Sequence, residues 1–69
     1  MSGARVTVNG EPRQVPAGTT LDQVVAAVTG QAAGVAAAVN GEVVPRGSWA
    51  GVPLGEGDRV EVVTAVQGG

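Results

Sequence analysis

Cysteine, histidine, lysine, phenylalanine and tyrosine are all missing from this 69-residue sequence, and each absence excludes something. Without cysteine there is no disulfide scaffold, no thiol nucleophile and no thiolate-held zinc. Without histidine the commonest general base and the commonest metal ligand are gone. Without lysine the only primary amine is at the N-terminus. Charge is sparse as well: 14% of residues are charged, and four arginines against six acids leave a net charge of −2. A nucleic-acid binder needs a basic footprint, and this chain has none. No apolar run approaches the roughly 18 residues of a membrane span, and no charged-then-apolar leader opens the chain. These gaps lead us to expect a soluble cytoplasmic protein that is not an enzyme, holds no metal and contacts neither nucleic acid nor membrane.

Apolar residues are nonetheless plentiful, at 43%. Fifteen of them are valine, and Trp49 is the sole aromatic. A valine core favours pleated sheet, because the branched Cβ restricts χ1. Lacking large rings it is thin, so modest stability per residue follows. The length suits one domain, expected over residues 1–66.

Residues 1–4 read as a short, loose leader of small side chains, with Ser2-Gly3 resembling a cloning remnant. Arg5-Val6-Thr7-Val8 then alternates polar and apolar, as a half-buried strand does. Asn9-Gly10 suits both central positions of a type I′ hairpin turn. The returning strand, 11–15, carries Pro12 and therefore fits an edge. Next the period changes. Leu21, Val24, Val25 and Val28 fall at i, i+3, i+4 and i+7, the stripe of a helix over 20–29. Thr20 with Gln23 matches a capping box, and Gly30 is a natural stop. Residues 35–39 make a strand despite the local helical leaning of Ala36-Ala37-Ala38. Asn40-Gly41 is a second hairpin tip, Glu42-Val43-Val44 returns from it, and Pro45 ends the return. A Gly- and Pro-rich connection over 47–57 has Trp49 and Leu54 as its large apolar anchors. The last and longest strand is expected over 59–66. The Val-Asn-Gly-Glu of residues 8–11 recurs at 39–42, which reads as one turn chemistry used twice.

No catalytic constellation emerges. The six acids sit at turns, at the helix start or on the polar face of a strand, without the apolar pairing that splits carboxyl pKa values. Ser2 and Ser48 have no base to activate them. Gly55-Glu56-Gly57 lacks the lysine and following helix of a phosphate loop. The end of the chain differs. Gly68-Gly69 after a strand presents a carboxylate on residues without side chains, able to extend into a narrow channel. By itself such an end is also what a frayed terminus or cloning remnant looks like.

The chain resembles the ubiquitin-like sulfur carriers, and within them the ThiS-type carriers of thiamine biosynthesis. The resemblance is carried by Val6-Thr7-Val8-Asn9-Gly10, by Gly18-Thr19-Thr20-Leu21, and more specifically by Ala38-Val39-Asn40-Gly41-Glu42-Val43-Val44-Pro45-Arg46 followed by Trp49-Ala50. Gly57-Asp58-Arg59-Val60-Glu61 and the ending Val66-Gln67-Gly68-Gly69 complete it. It implies an α+β, ubiquitin-like β-grasp fold, ββαβββ in sequence, with a mixed sheet packed over one helix. It also implies that Gly69 is the sulfur-carrying residue, adenylated by an E1-like (ThiF-type) adenylyltransferase at the expense of ATP. A persulfide sulfur then replaces AMP, and a ThiG-type thiazole synthase accepts the sulfur from the resulting thiocarboxylate. On that reading 67–69 is a flexible tail in which Gln67 and Gly68 thread into the partner. The carrier binds no cofactor and is a monomer when free.

Trp49 is expected to cover the thin interior, and Arg46 to be solvated or bonded to a carbonyl. If Val60 and Val62 face the helix, alternation puts Glu61, Val63 and Ala65 on the open face, with Val63 and Ala65 as a docking patch beside the tail. Three alternatives stay open: a molybdopterin-synthase small subunit or other sulfur carrier, a conjugating protein modifier, and an interaction module with an accidental tail.

Overall fold

The computed structural model describes residues 3–30 and 34–64. Strand β1 (Ala4–Val8) turns back into β2 (Glu11–Val15) through Asn9-Gly10, whose φ values of 52° and 85° are the positive pair that a type I′ turn requires. Val8 pairs with Glu11 next to the loop and Thr7 with Pro12 beyond it. Antiparallel ladders alternate their bonded positions, so Pro12 turns its nitrogen to the free edge, where a missing N–H breaks nothing. Helix α1 (Leu21–Thr29) follows. Thr20 and Gln23 form its capping box, with the Thr20 N–H donating to Gln23 Oε1 at 3.1 Å. Gly30 closes it at φ 74°, its N–H donating to the Ala26 carbonyl at 3.0 Å.

A second hairpin, β3 (Val35–Val39) and β4 (Glu42–Val44), repeats the first turn at Asn40-Gly41 with φ values of 52° and 85°. Strand β5 (Arg59–Thr64) then enters between the two hairpins. The order across the five-stranded sheet is β2-β1-β5-β3-β4, with β1 and β5 parallel and the other neighbours antiparallel. One mixed sheet grasping one helix is the β-grasp arrangement. Among the described residues no helix is long and apolar enough to cross a membrane.

The core lies between α1 and one sheet face. Leu21, Val24 and Val25 from the helix meet Val6, Val8, Ala37, Val60 and Val62 from the strands, and Val28 packs half-buried at the edge. Each buried valine or leucine contributes on the order of 1.5–3 kcal/mol. The alanines of β3 are sheet despite their helical propensity. Ala37 is buried opposite the helix, and β3 is hydrogen-bonded on both sides, which outweighs a local preference of a few tenths of a kcal/mol per residue.

One expectation is corrected. Ala4 is no loose leader: it opens β1, pairs with Val15 and is only 6% exposed, because it shares the inward parity of Val6 and Val8. The Gly- and Pro-rich connection after β4 includes regular structure of its own. Residues Arg46–Gly51 form a 3₁₀ helix started by Pro45 (φ −60°), with Ser48 N–H donating to the Pro45 carbonyl at 2.8 Å. Its purpose in packing is Trp49, 3% exposed, whose Nε1 donates to the Val44 carbonyl at 2.8 Å. Residues 52–54 then pin the helix start. Leu21 N–H donates to Val52 O at 2.9 Å, and Leu54 N–H to Thr19 O at 2.8 Å.

Val25, 1% exposed, provides the test of this core. Val25→Asp buries a carboxylate with no partner in a domain whose total stability is of order 5–10 kcal/mol, and abolishes the cooperative thermal transition followed by circular dichroism. A cooperative melt near the parental temperature contradicts the packing described.

Candidate functional site

Strand β5 is the element that leads to the C-terminal residues. Val60 and Val62 point into the core, so Arg59, Glu61 and Val63 occupy the opposite, open face. Among the described residues Val63, 58% exposed, is one of two large apolar side chains left in solvent; the other is Val43 of β4, at 72%. The register brings them together. Ala36 stands opposite Val63, Ala38 opposite Glu61, and Val43 opposite Ala38. These side chains line a shallow hollow of about 180 Å³ bordered by Glu61. Towards β1 and β2 the same face turns polar, with Arg5, Thr7 and Gln14 exposed or half-exposed. The open face is therefore apolar over its β5–β3–β4 half and polar over the other. A second groove, about 290 Å³ between β2 and α1, includes no residue of β5.

Val63 lies where alternation along β5 predicts. Val43 escaped that reading, because in Glu42-Val43-Val44 two adjacent valines conceal which one faces outward. The signal that resolves them is the two-residue Asn40-Gly41 turn, which sets Val39 against Glu42 and hence Val43 against Ala38. The side chain of Val44 is half-buried and packs on the core. Trp49 covers the interior as expected, and Arg46 is exposed at the start of the 3₁₀ helix. The remaining expected site residues, Ala65, Gln67, Gly68 and Gly69, lie outside the described residues.

Both hairpin-tip asparagines do more than turn the chain. Asn9 Nδ2 donates to the Val62 carbonyl at 3.1 Å, and Val62 N–H donates to Asn9 Oδ1 at 2.8 Å. Asn40 Oδ1 accepts from Arg59 N–H at 2.9 Å, and its Nδ2 donates to Asp58 Oδ1 at 3.1 Å. Asp58 in turn accepts from Gly55 N–H at 2.8 Å, which holds the turn that feeds β5. No group of three or more metal-ligating side chains occurs among the described residues.

Comparison with known proteins gives the family. The model of the ThiS family matches residues 6–69. The chain belongs to the ThiS family. A solved member, the thiamine biosynthesis protein ThiS from Geobacter metallireducens, is 31% identical with a TM-score of 0.79, covering 94% of this chain and 99% of that one. Thiazole synthases from Magnetococcus marinus and Paramagnetospirillum magneticum are 38% and 32% identical over 65 residues, 94% of this chain and 20% of each relative. The chain thus spans about a fifth of the length of these thiazole synthases. The ThiS-family match includes the Trp49 cover, the Val63 patch and the Gly-Gly end within its bounds.

Because Val63 is exposed and makes no part of the core, Val63→Glu shifts stability by less than about 0.5 kcal/mol. Urea denaturation followed by Trp49 fluorescence checks this. A loss of several kcal/mol contradicts the open-face assignment.

Proposed function

We propose that this chain is a sulfur carrier protein, a substrate of partner enzymes and not itself a catalyst. The observation that carries the reading is the ThiS-family match over residues 6–69, which reaches the final Gly68-Gly69. A carboxylate is a poor acyl donor until one oxygen belongs to a good leaving group. In the proposed sequence the Gly69 carboxylate attacks the α-phosphorus of ATP on an E1-like, ThiF-type enzyme and releases pyrophosphate. A persulfide sulfur then displaces AMP, and cleavage of the S–S bond by a second thiol leaves the terminal thiocarboxylate. Gln67 and Gly68 thread the activating site, where the absence of a side chain lets the partner's backbone approach closely. ATP belongs to the partner, and the carrier holds no cofactor. These reagents are cytoplasmic, and so is the proposed site of action.

A thiazole synthase is the proposed sulfur acceptor. Relatives aligned over 94% of this chain bear that name, which supports an acceptor in thiamine biosynthesis over a pterin. Docking is assigned to Val63 with its open-face neighbours, and the sequence pattern adds Ala65. Ordering a Gly-Gly segment costs more backbone entropy than ordering any other dipeptide, and apolar burial at the patch offsets that cost.

Incubation with ATP, the ThiF-type enzyme and a persulfide donor, followed by intact mass, tests the chemistry. The expected product gains the mass difference of one oxygen exchanged for sulfur, and a chain lacking Gly69 gains nothing. A protein adduct instead points to a modifier, and no change at all to an interaction module. The two roles of reach and docking separate by mutation. Val63→Glu weakens binding in titration calorimetry by about ten-fold or more, as loss of a buried apolar contact predicts. Gly68→Val binds nearly as the parent does but is adenylated far more slowly, because its branched Cβ obstructs a narrow channel. Parental adenylation of Gly68→Val overturns the threading role.

A further inference from the structure

The repeated Val-Asn-Gly-Glu segment does something that turn chemistry does not explain. A type I′ turn needs only residues that tolerate positive φ, and glycine would serve at both central positions. Asparagine at positions 9 and 40 is instead used for its amide. The parallel pairing of β1 with β5 stops at Val8↔Val60, since the chain turns away at Asn9. The Asn9 N–H makes the last backbone bond of that ladder, to the Val60 carbonyl at 2.9 Å. One step further along β5, Val62 would present its N–H and carbonyl to a strand that has ended. The Asn9 side chain occupies that place. Its Oδ1 accepts from Val62 N–H and its Nδ2 donates to the Val62 carbonyl, replacing the two bonds that successive peptide groups of a continuing β1 would make. Asn40 performs the equivalent service at the other end and on the other side of β5. Its N–H donates to the Arg59 carbonyl at 2.7 Å, and its Oδ1 accepts from Arg59 N–H.

The two clamps are not equivalent in consequence. Asn40 holds the entrance of β5, where the turn through Asp58 and the pairing Thr7↔Arg59 also act. Asn9 holds the exit half. Val62 is two residues before Thr64, and on its β1 side the ladder supplies no backbone partner. The backbone of Val62 also sets the pleat that turns Val63 outward. Resting on the carrier reading above, we propose that Asn9 is a positioning residue for the activation of Gly69. Its amide extends the ladder past the end of β1, and so fixes the backbone of β5 at Val62, in the exit half of the strand that precedes the activated end.

The variants Asn9→Gly and Asn40→Gly test this in the full-length chain. Glycine adopts φ near 50° without strain, so each variant removes the amide and leaves the turn. Hydrogen exchange by NMR reads the clamp directly: Val62 N–H exchanges about ten-fold or more faster in Asn9→Gly, the effect of losing a net hydrogen bond, and at the parental rate in Asn40→Gly. Adenylation by the ThiF-type enzyme reads the function. We expect Asn9→Gly to lower kcat about ten-fold with KM within two-fold, since docking survives while alignment is lost. Asn40→Gly should keep the parental kcat. Asn9→Asp keeps the acceptor for Val62 N–H but loses the donor, giving an intermediate kcat, and it carries the comparison if Asn9→Gly does not fold. Parental kcat in Asn9→Gly, an equal fall in Asn40→Gly, an effect confined to KM, or unfolding of both Asn9 variants overturns the positioning role. A parent chain that is not adenylated at all overturns the carrier reading and this one with it, whereas normal activation of the parent with no effect at Asn9 overturns this one alone.

Discussion

Everything in this structure depends on how β5 is held in the middle of the sheet. It is the last strand in sequence, yet it is placed between two hairpins formed earlier, parallel to β1 and antiparallel to β3. Non-local pairing of this kind is entropically expensive, because long intervening loops must close before any bond forms. The return comes from both faces at once. Val60 and Val62 complete the apolar layer under α1, while the two turn asparagines add side-chain bonds to its backbone near both ends. One strand thereby closes the core, presents Val63 and precedes the C-terminal residues.

A core of valines is workable because one aromatic residue is placed where the sheet and helix leave a gap. Trp49 brings a large buried area and one polar atom, and the Val44 carbonyl satisfies that atom. The 3₁₀ helix that carries it is short, but the bonds from Leu21 N–H to the Val52 carbonyl and from Leu54 N–H to the Thr19 carbonyl tie its continuation to the start of α1. The connection between β4 and β5 is thus part of the fold's closure and not a passive link.

The acids are scattered, and the described residues bring together no cluster suited to a metal. What the fold does supply is asymmetry. One face of the sheet is covered by the helix, and the other is apolar only over the half that includes the exit strand. That partition gathers Val63 and Val43 on the apolar half.

Much of this was legible in the residues alone. The helix stripe of Leu21, Val24, Val25 and Val28, its caps, both Asn-Gly turns and the outward parity of Val63 follow from local periodicity and from the φ preferences of asparagine and glycine. Those are properties of a few neighbouring residues, so sequence determines them. The inward Ala4, the outward Val43 and the clasp of Asn9 on Val62 were decided only by the tertiary structure. Each depends on a partner that pairing brings near: Val15 for Ala4, Ala38 for Val43, and a backbone 53 residues away for Asn9. Local pattern carries no information about which strand will lie alongside, and register, once that strand is in place, determines which atoms meet.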